Sequence, residues 1–281
     1  MQILVTRTRP FSSNLRASVI AASLSNNDAR LLDRALAMHV PRIHLPLTLT
    51  EGETLELGEQ SAHHVTHVLR LRPGAAVRIF DGKGCEHEGM IRKMRRTQVA
   101  VELGKAVASI PEPPLAITLA QGIPRGDRMD LILQKAVELG VTDVQPLWTA
   151  RSQTRASGER LDKRLRHWQR VVISACEQCG RAMLPGLETP VEYRAWLTGN
   201  HRHNSRLLLA PEAQQSLGAM QPPGDSILLL VGPEGGISTE ETTLATAAGF
   251  KPVRLGPRIL RTETAALAML AGLQSLWGDL R

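Results

Sequence analysis

Three short segments in the last third of the chain combine glycine, proline and charge in a way that could hold a small ligand. They are Ala210-Pro211-Glu212, Gly232-Pro-Glu-Gly-Gly236 and Gly256-Pro-Arg-Ile-Leu-Arg261. Glycine lets a ligand approach the main chain closely, and proline stiffens the loop that carries it. Such loops offer amide and carbonyl groups to a nucleoside without using side chains. A lone Gly-Gly is usually a simple turn, but three such segments in succession favour a ligand site. They follow no standard nucleotide pattern. The chain has no G-x-x-x-x-G-K-[ST], and no G-x-G-x-x-G follows the first strand of this region, so P-loop and ordinary dinucleotide folds are disfavoured.

The elements around these loops alternate between strand and helix. Leu115–Ala120, Val144–Leu147, Leu207–Ala210, Ile227–Val231 and Pro252–Leu255 read as strands. Met129–Leu139, ended by Gly140, then a long helix through His167–Gly180, Thr239–Ala248 and Thr262–Trp277 read as helices. This alternation predicts an α/β domain over 115–281, a parallel sheet covered by helices. In open parallel sheets ligands sit beyond the carboxyl ends of the strands, and the three loops occupy that position.

Residues 42–108 read differently, as short strands such as Ala76–Phe80 and Gln98–Glu102 separated by Pro73-Gly74 and Asp81-Gly82-Lys83-Gly84. That spacing predicts a small β-barrel, with a helical stretch from Ser61 to Leu71 opening on a serine cap. The basic run Arg92-Lys-Met-Arg-Arg96 falls between two strands, either as a solvated hairpin or as a phosphate-binding edge. Ile110-Pro-Glu-Pro-Pro114 is the linker, since three prolines in five residues continue neither a helix nor a central strand. Residues 1–41 are set apart from the fold. Up to Asn27 they carry arginines and serines and no acid, the pattern of an organellar transit peptide; the favoured reading is a start assigned too early, with Met38 the true one.

The 281 residues carry 34 Lys+Arg against 27 Asp+Glu, a net charge of +7 that favours a polyanionic partner. Aromatic residues are only 3% of the chain, which argues against single-strand binding by stacking. No run approaches the ~20 apolar residues of a membrane span. Three cysteines, Cys85, Cys176 and Cys179, cannot all pair, which points to a reducing cytoplasm. Cys176-Glu-Gln-Cys179 has the form of a redox or zinc pair but sits mid-helix without a second pair. His63, His64 and His67 lack a further ligand at suitable spacing.

Longer motifs extend this reading. Arg128-Met-Asp-Leu-Ile-Leu-Gln-Lys-Ala-Val-Glu-Leu-Gly140, Ala175-Cys-Glu-Gln-Cys-Gly-Arg181, Leu230-Val-Gly-Pro-Glu-Gly-Gly236 and Leu255-Gly-Pro-Arg-Ile-Leu-Arg-Thr-Glu-Thr-Ala265 occur in order, after His64-Val-Thr-His-Val-Leu-Arg70 and Phe80-Asp-Gly-Lys-Gly84. Through them the chain resembles the RsmE family, the ribosomal small subunit RNA (uridine-N3)-methyltransferases, over residues 42 to about 278. The resemblance implies a PUA-like RNA-binding domain followed by a SPOUT domain whose C-terminal segment forms a trefoil knot. It implies S-adenosyl-L-methionine as cofactor, 16S rRNA as substrate and a homodimer.

The family reading places the cofactor against Leu209, Pro211 and Glu212, against Gly232, Pro233, Glu234, Gly235 and Gly236, and against Leu255, Gly256, Ile259, Leu260 and Arg261. Arg42, His67, Arg70, Arg92, Arg95 and Arg125 are the candidate RNA contacts. Uracil N3 carries a proton at neutral pH, so a base or an anion-stabilising group is required. Arg128, Arg181, Arg258 and Arg261 are candidates for the second task, and Glu177 and Glu263 for the first. Thr262 is a candidate cap for the final helix. A ribose 2′-O-methyltransferase is the alternative enzyme, although its N-x-G-x-x-x-R motif is replaced here by Gln121-Gly-Ile-Pro-Arg-Gly126. A non-catalytic rRNA-binding assembly factor is the alternative of another class.

Overall fold

The computed structural model describes residues 40–95, 98–152 and 155–280. The expectations for the N-terminal extension, and for Arg96, fall outside those residues. Arg42–Arg281 forms one compact unit built on two sheets.

The first sheet contains β1 (Arg42–His44), β2 (Thr54–Glu56), β3 (Ala76–Phe80), β4 (Glu86–Arg95) and β5 (Gln98–Val107) in the order β1-β3-β4-β5-β2. Only the β1–β3 pair is parallel, so the sheet is mixed. Arg92, Lys93 and Arg95 belong to β4 itself rather than to a connection. The expected helix is α1 (Glu59–His63) running into a π-helical turn at His64–Val68. Its cap is Gly58, without a side-chain bond, and Ser61 lies inside the helix. Alternate residues of the strands, among them Val77, Ile79, Ile91, Val99 and Val101, pack with Ala62 and Val65 into a core of their own.

The second sheet is wholly parallel, in the order β12-β10-β11-β6-β7-β8 with β9 also on β7. Its strands are β6 (Ala116–Gly122), β7 (Asp143–Trp148), β8 (Gly186–Leu187), β9 (Val191–Glu192), β10 (Ser205–Leu209), β11 (Ser226–Val231) and β12 (Lys251–Val253). The helices are α2 (Arg128–Glu138), α3 (Glu159–Cys179), α4 (Tyr193–Leu197), α5 (Thr239–Ala247) and α6 (Thr262–Trp277). Strand alternation explains the two layers. Ile117, Leu119, Ile227 and Leu229 point to the face covered by α2, α3 and α6. Ala120, Leu228 and Leu230 point to the other, where Tyr193 and Ala245 close the core. A strand buried on both faces reads as a continuous apolar run, as Ile227–Val231 does.

The sheets meet where β1 lies against α3. The Arg42 guanidinium donates to both Glu86 carboxylate oxygens, at 2.9 and 3.1 Å, and to the carbonyl of Arg181. His44 N–H donates to Glu177 Oε1 at 3.1 Å, and Phe80 joins the core of the parallel sheet. Among the described residues no helix is long and apolar enough to cross a membrane.

Candidate active site

The three glycine–proline loops leave the carboxyl ends of β10, β11 and β12 and enclose a chamber of about 670 Å³. Every residue assigned to the cofactor, Leu209, Pro211 and Glu212, Gly232–Gly236, and Leu255, Gly256, Ile259, Leu260 and Arg261, lines it. Its lining combines the glycine–proline loops with apolar residues such as Leu209, Ile237, Leu255 and Leu260 and with charged ones such as Arg128, Glu212 and Glu263. That volume and lining suit a nucleoside-sized ligand.

Buried hydrogen bonds hold the β11 loop. Thr262 Oγ1 donates to the carbonyl of Gly232 at 2.6 Å, and Gln121 Nε2, at the end of β6, donates to the same carbonyl and to Thr262 Oγ1. Thr262 is thus the first residue of α6 rather than its cap; Arg261 occupies the cap position without a side-chain bond. Room is short as well. A Cβ on Gly232 would meet the main chain of Gly236 and Ile237 at 2.8 Å, and one on Gly122 would meet the Pro233 ring at 2.6 Å.

Arg128 stands at the chamber between two carboxylates, 2.6 Å from Glu234 Oε1 and 3.7 Å from Glu263 Oε2. Glu234 also accepts the Arg125 N–H at 2.8 Å, which ties the loop after β6 to the one after β11. Glu263, on the first turn of α6, has its Oε2 buried without a hydrogen-bond partner among the described residues. Arg258 and Arg261 are exposed on the rim. Arg151, Thr242 and Arg254 also line the chamber and were not foreseen. Arg151 has no glycine or proline motif beside it, and only its place just beyond the end of β7 could have pointed to it.

Other candidates are corrected. Arg181 lies outside the chamber, almost fully buried. It pairs with Glu112 and donates to the carbonyls of Val137 and Val141, so its charge is spent on holding the linker and α2. Glu177 faces β1 rather than the chamber, and burial is the main cause that raises its carboxyl above the usual value. Arg42 is enclosed by Glu86 and stacks over Phe80, which withdraws it from RNA. His67, Arg70, Arg95 and Arg125 are exposed, and Arg92 is exposed but paired with Glu102 at 2.6 Å. Burial pushes the Cys176 thiol up to about 12, which keeps it an unreactive thiol at neutral pH. No group of three His, Cys, Asp or Glu among the described residues is placed to hold a metal.

The placement of Glu177 has a measurable consequence. In Glu177→Gln the amide oxygen still accepts the His44 N–H, and no buried charge forms. A raised carboxyl pKa means that its contribution to stability is present at low pH and lost as pH rises through the folded-state value. The variant's thermal midpoint is therefore expected to equal or exceed that of the wild type at pH 7, with the difference gone near ~pH 4. Its methyl-transfer rate should be unchanged; a large loss in a stable variant would return Glu177 to the chemistry.

Two family models match the chain. One described as an RNA methyltransferase domain matches residues 111–274, more than half of the sequence, and one described as an RNA methyltransferase PUA domain matches residues 57–104. The ribosomal RNA small subunit methyltransferase E of a Buchnera aphidicola strain from Schizaphis graminum is 31% identical over 86% of this chain and 98% of that protein. The chain belongs to the ribosomal RNA small subunit methyltransferase E family. A solved member of this family, from Neisseria gonorrhoeae and bound to S-adenosyl methionine, is 42% identical, with a TM-score of 0.81 over 86% of this chain and all of that one. A Legionella pneumophila methyltransferase, solved with bound SAM, is 37% identical with a TM-score of 0.83 over 86% and 100%.

Proposed function

We propose that this protein transfers the methyl group of S-adenosyl-L-methionine to N3 of a specific uridine in 16S rRNA. The observation that carries this reading is the chamber, lined by the three glycine–proline loops, two of which fall in motifs that carry the family resemblance. Relatives of 42% and 37% identity were solved with that cofactor, and the residues here fit it. The main chain of the loops offers amides and carbonyls, and the chamber is lined both by carboxylates, as at Glu212 and Glu263, and by arginines, as at Arg151 and Arg254, which suits a ligand that carries cationic and anionic groups together.

When bound, the cofactor supplies a methyl group activated by a sulfonium. The chain must bring uracil N3 in line with it, and orientation of this kind is worth about 7–11 kcal/mol of a barrier. Glu263 Oε2 is the acceptor for the N3 proton, being buried at the chamber and without a hydrogen bond among the described residues. Arg128, held between Glu234 and Glu263, positions that carboxylate. The rim arginines Arg258 and Arg261 stabilise the anion left on the uracil oxygens.

In this reading residues 42–108 are the PUA-like barrel domain and 115–281 the SPOUT domain with its trefoil knot. His67, Arg70, Arg92, Arg95 and Arg125 contact RNA. The protein acts in the cytoplasm as a homodimer on the small ribosomal subunit. Ile259, 87% exposed on the chamber rim, is an apolar side chain that a second copy would cover.

The test is nucleoside analysis of small-subunit rRNA. Deletion of the gene is expected to remove 3-methyluridine, and purified protein with S-adenosyl-L-methionine to restore it. Loss of a 2′-O-methyl mark instead would assign the ribose reaction, and an unchanged nucleoside profile would favour the assembly factor.

A further inference from the structure

We propose that the N-terminal half of α3 is a basic prong that grips the phosphate backbone of the RNA substrate beside the chamber. This rests on the reading of RNA as the substrate, and adds a surface outside the first sheet and the ligand loops.

The topology puts the prong at the right edge. Helices α2 and α3 each connect neighbouring parallel strands, β6 to β7 and β7 to β8. They therefore start from the carboxyl edge of the sheet and run side by side in one direction. His167 Nε2 lies 2.6 Å from Asp130 Oδ2, which fixes their relative height. Asp130 is in the first turn of α2, whereas His167 is well inside α3. At 1.5 Å per residue the start of α3 stands about 12 Å beyond the level of Asp130. Arg128, one half-turn before Asp130, borders the chamber, and the loop leading into α3 touches it too, where Arg151 donates to the carbonyl of Gly235 at 2.5 Å.

The chemistry of this projecting half is one-sided. Arg160, Lys163, Arg166 and Arg170 are exposed. The spacing of the last three lines them along one helix face, opposite buried Trp168 and Val172. None of the four forms an ion pair among the described residues. Elsewhere some exposed cations are paired, as Arg92, Arg155 and Arg194 are, and others such as Arg72 and Arg202 form no ion pair among the described residues, so what sets this row apart is its alignment along one helix face. Glu159 and Asp162 are the only acids on this half of the helix. They lie four residues before Lys163 and Arg166, yet form no ion pair with them among the described residues, and the basic residues outnumber them, so the face keeps a net positive charge that suits a polyanion. No exposed aromatic accompanies the row, so the contact is to phosphates rather than to stacked bases.

The experiment compares the wild type with a triple variant, Arg160→Gln, Lys163→Gln and Arg166→Gln, binding unmodified 16S rRNA over a series of salt concentrations. Each lost phosphate contact lowers the slope of log K against log salt by about 0.7–0.9. The slope is therefore expected to fall by roughly two, with RNA affinity down at least about tenfold at ~0.1 M salt. Affinity for S-adenosyl-L-methionine should hold, as a check on the fold. An unchanged slope overturns the proposal. So does weaker binding to assembled small subunits with naked rRNA unaffected, which would mark a protein contact. If the wild type transfers no methyl group yet the variant's slope still falls, the proposed activity fails and the prong stands.

Discussion

Gly232→Ala is expected to lower the affinity for S-adenosyl-L-methionine by at least about tenfold, which is 1.4 kcal/mol. The added methyl would lie 2.8 Å from the main chain of both Gly236 and Ile237. Neither neighbour is a flexible side-chain end, so the β11 loop itself must move. That loop is one wall of the chamber, and its Gly232 carbonyl is held by Thr262 and Gln121. Displacement misaligns the wall and strains two buried hydrogen bonds, at a stability cost of about 1–3 kcal/mol. Calorimetric titration and thermal unfolding read the two effects separately. Gly218→Ala is the control, since its Cβ would meet nothing within 4 Å. Wild-type affinity in Gly232→Ala would show that the wall does not contact the cofactor.

Arg181→Met is expected to be the most destabilising of these substitutions, by about 3–5 kcal/mol. The guanidinium is buried and joins three parts of the chain: Glu112 of the linker, the Val137 carbonyl of α2 and the Val141 carbonyl beyond it. Methionine fills the space but leaves the carboxylate without its partner and the Val141 carbonyl without this donor. For a fold of this size the thermal midpoint should fall by roughly 10 °C. Below that midpoint, methyl transfer per folded molecule should be retained. Arg181→Lys keeps the charge but not the fork, and should fall between the two. A stable Arg181→Met protein that has lost methyl transfer would reverse the assignment.

The parallel domain was legible because its strands and helices carry strong patterns. Ile227–Val231 is apolar throughout, and α6 runs over the span foreseen. The two-residue strands β8 and β9 and the five-residue α4 escaped notice; elements so short carry no period to read. The ligand loops were visible because main-chain recognition leaves glycine and proline in the sequence. Arginine leaves no comparable trace of its surroundings. Arg128 and Arg181 both fall in family motifs, yet one borders the chamber and the other is sealed beneath the linker. Which it would be depended on whether Glu112 or Glu234 stood opposite, a fact of tertiary structure. Thr262 escaped for a similar reason, since its hydroxyl turns toward Gly232, thirty positions earlier, instead of its own helix.

The clasp between Gln121 and Thr262 also sets a clock on synthesis. The two side chains are 141 positions apart, and Gln274 of α6 reaches back further still, to the carbonyl of Leu115. At about 5–20 residues per second, a ribosome needs on the order of ten seconds between making the two halves of the clasp. During that interval β6 and β7 can exist, but the β11 loop has no anchor and there is no chamber to fill. A nascent chain therefore cannot be rescued by its small-molecule ligand until its last helix has emerged, and ligand-dependent protection from proteolysis should arise only after that point.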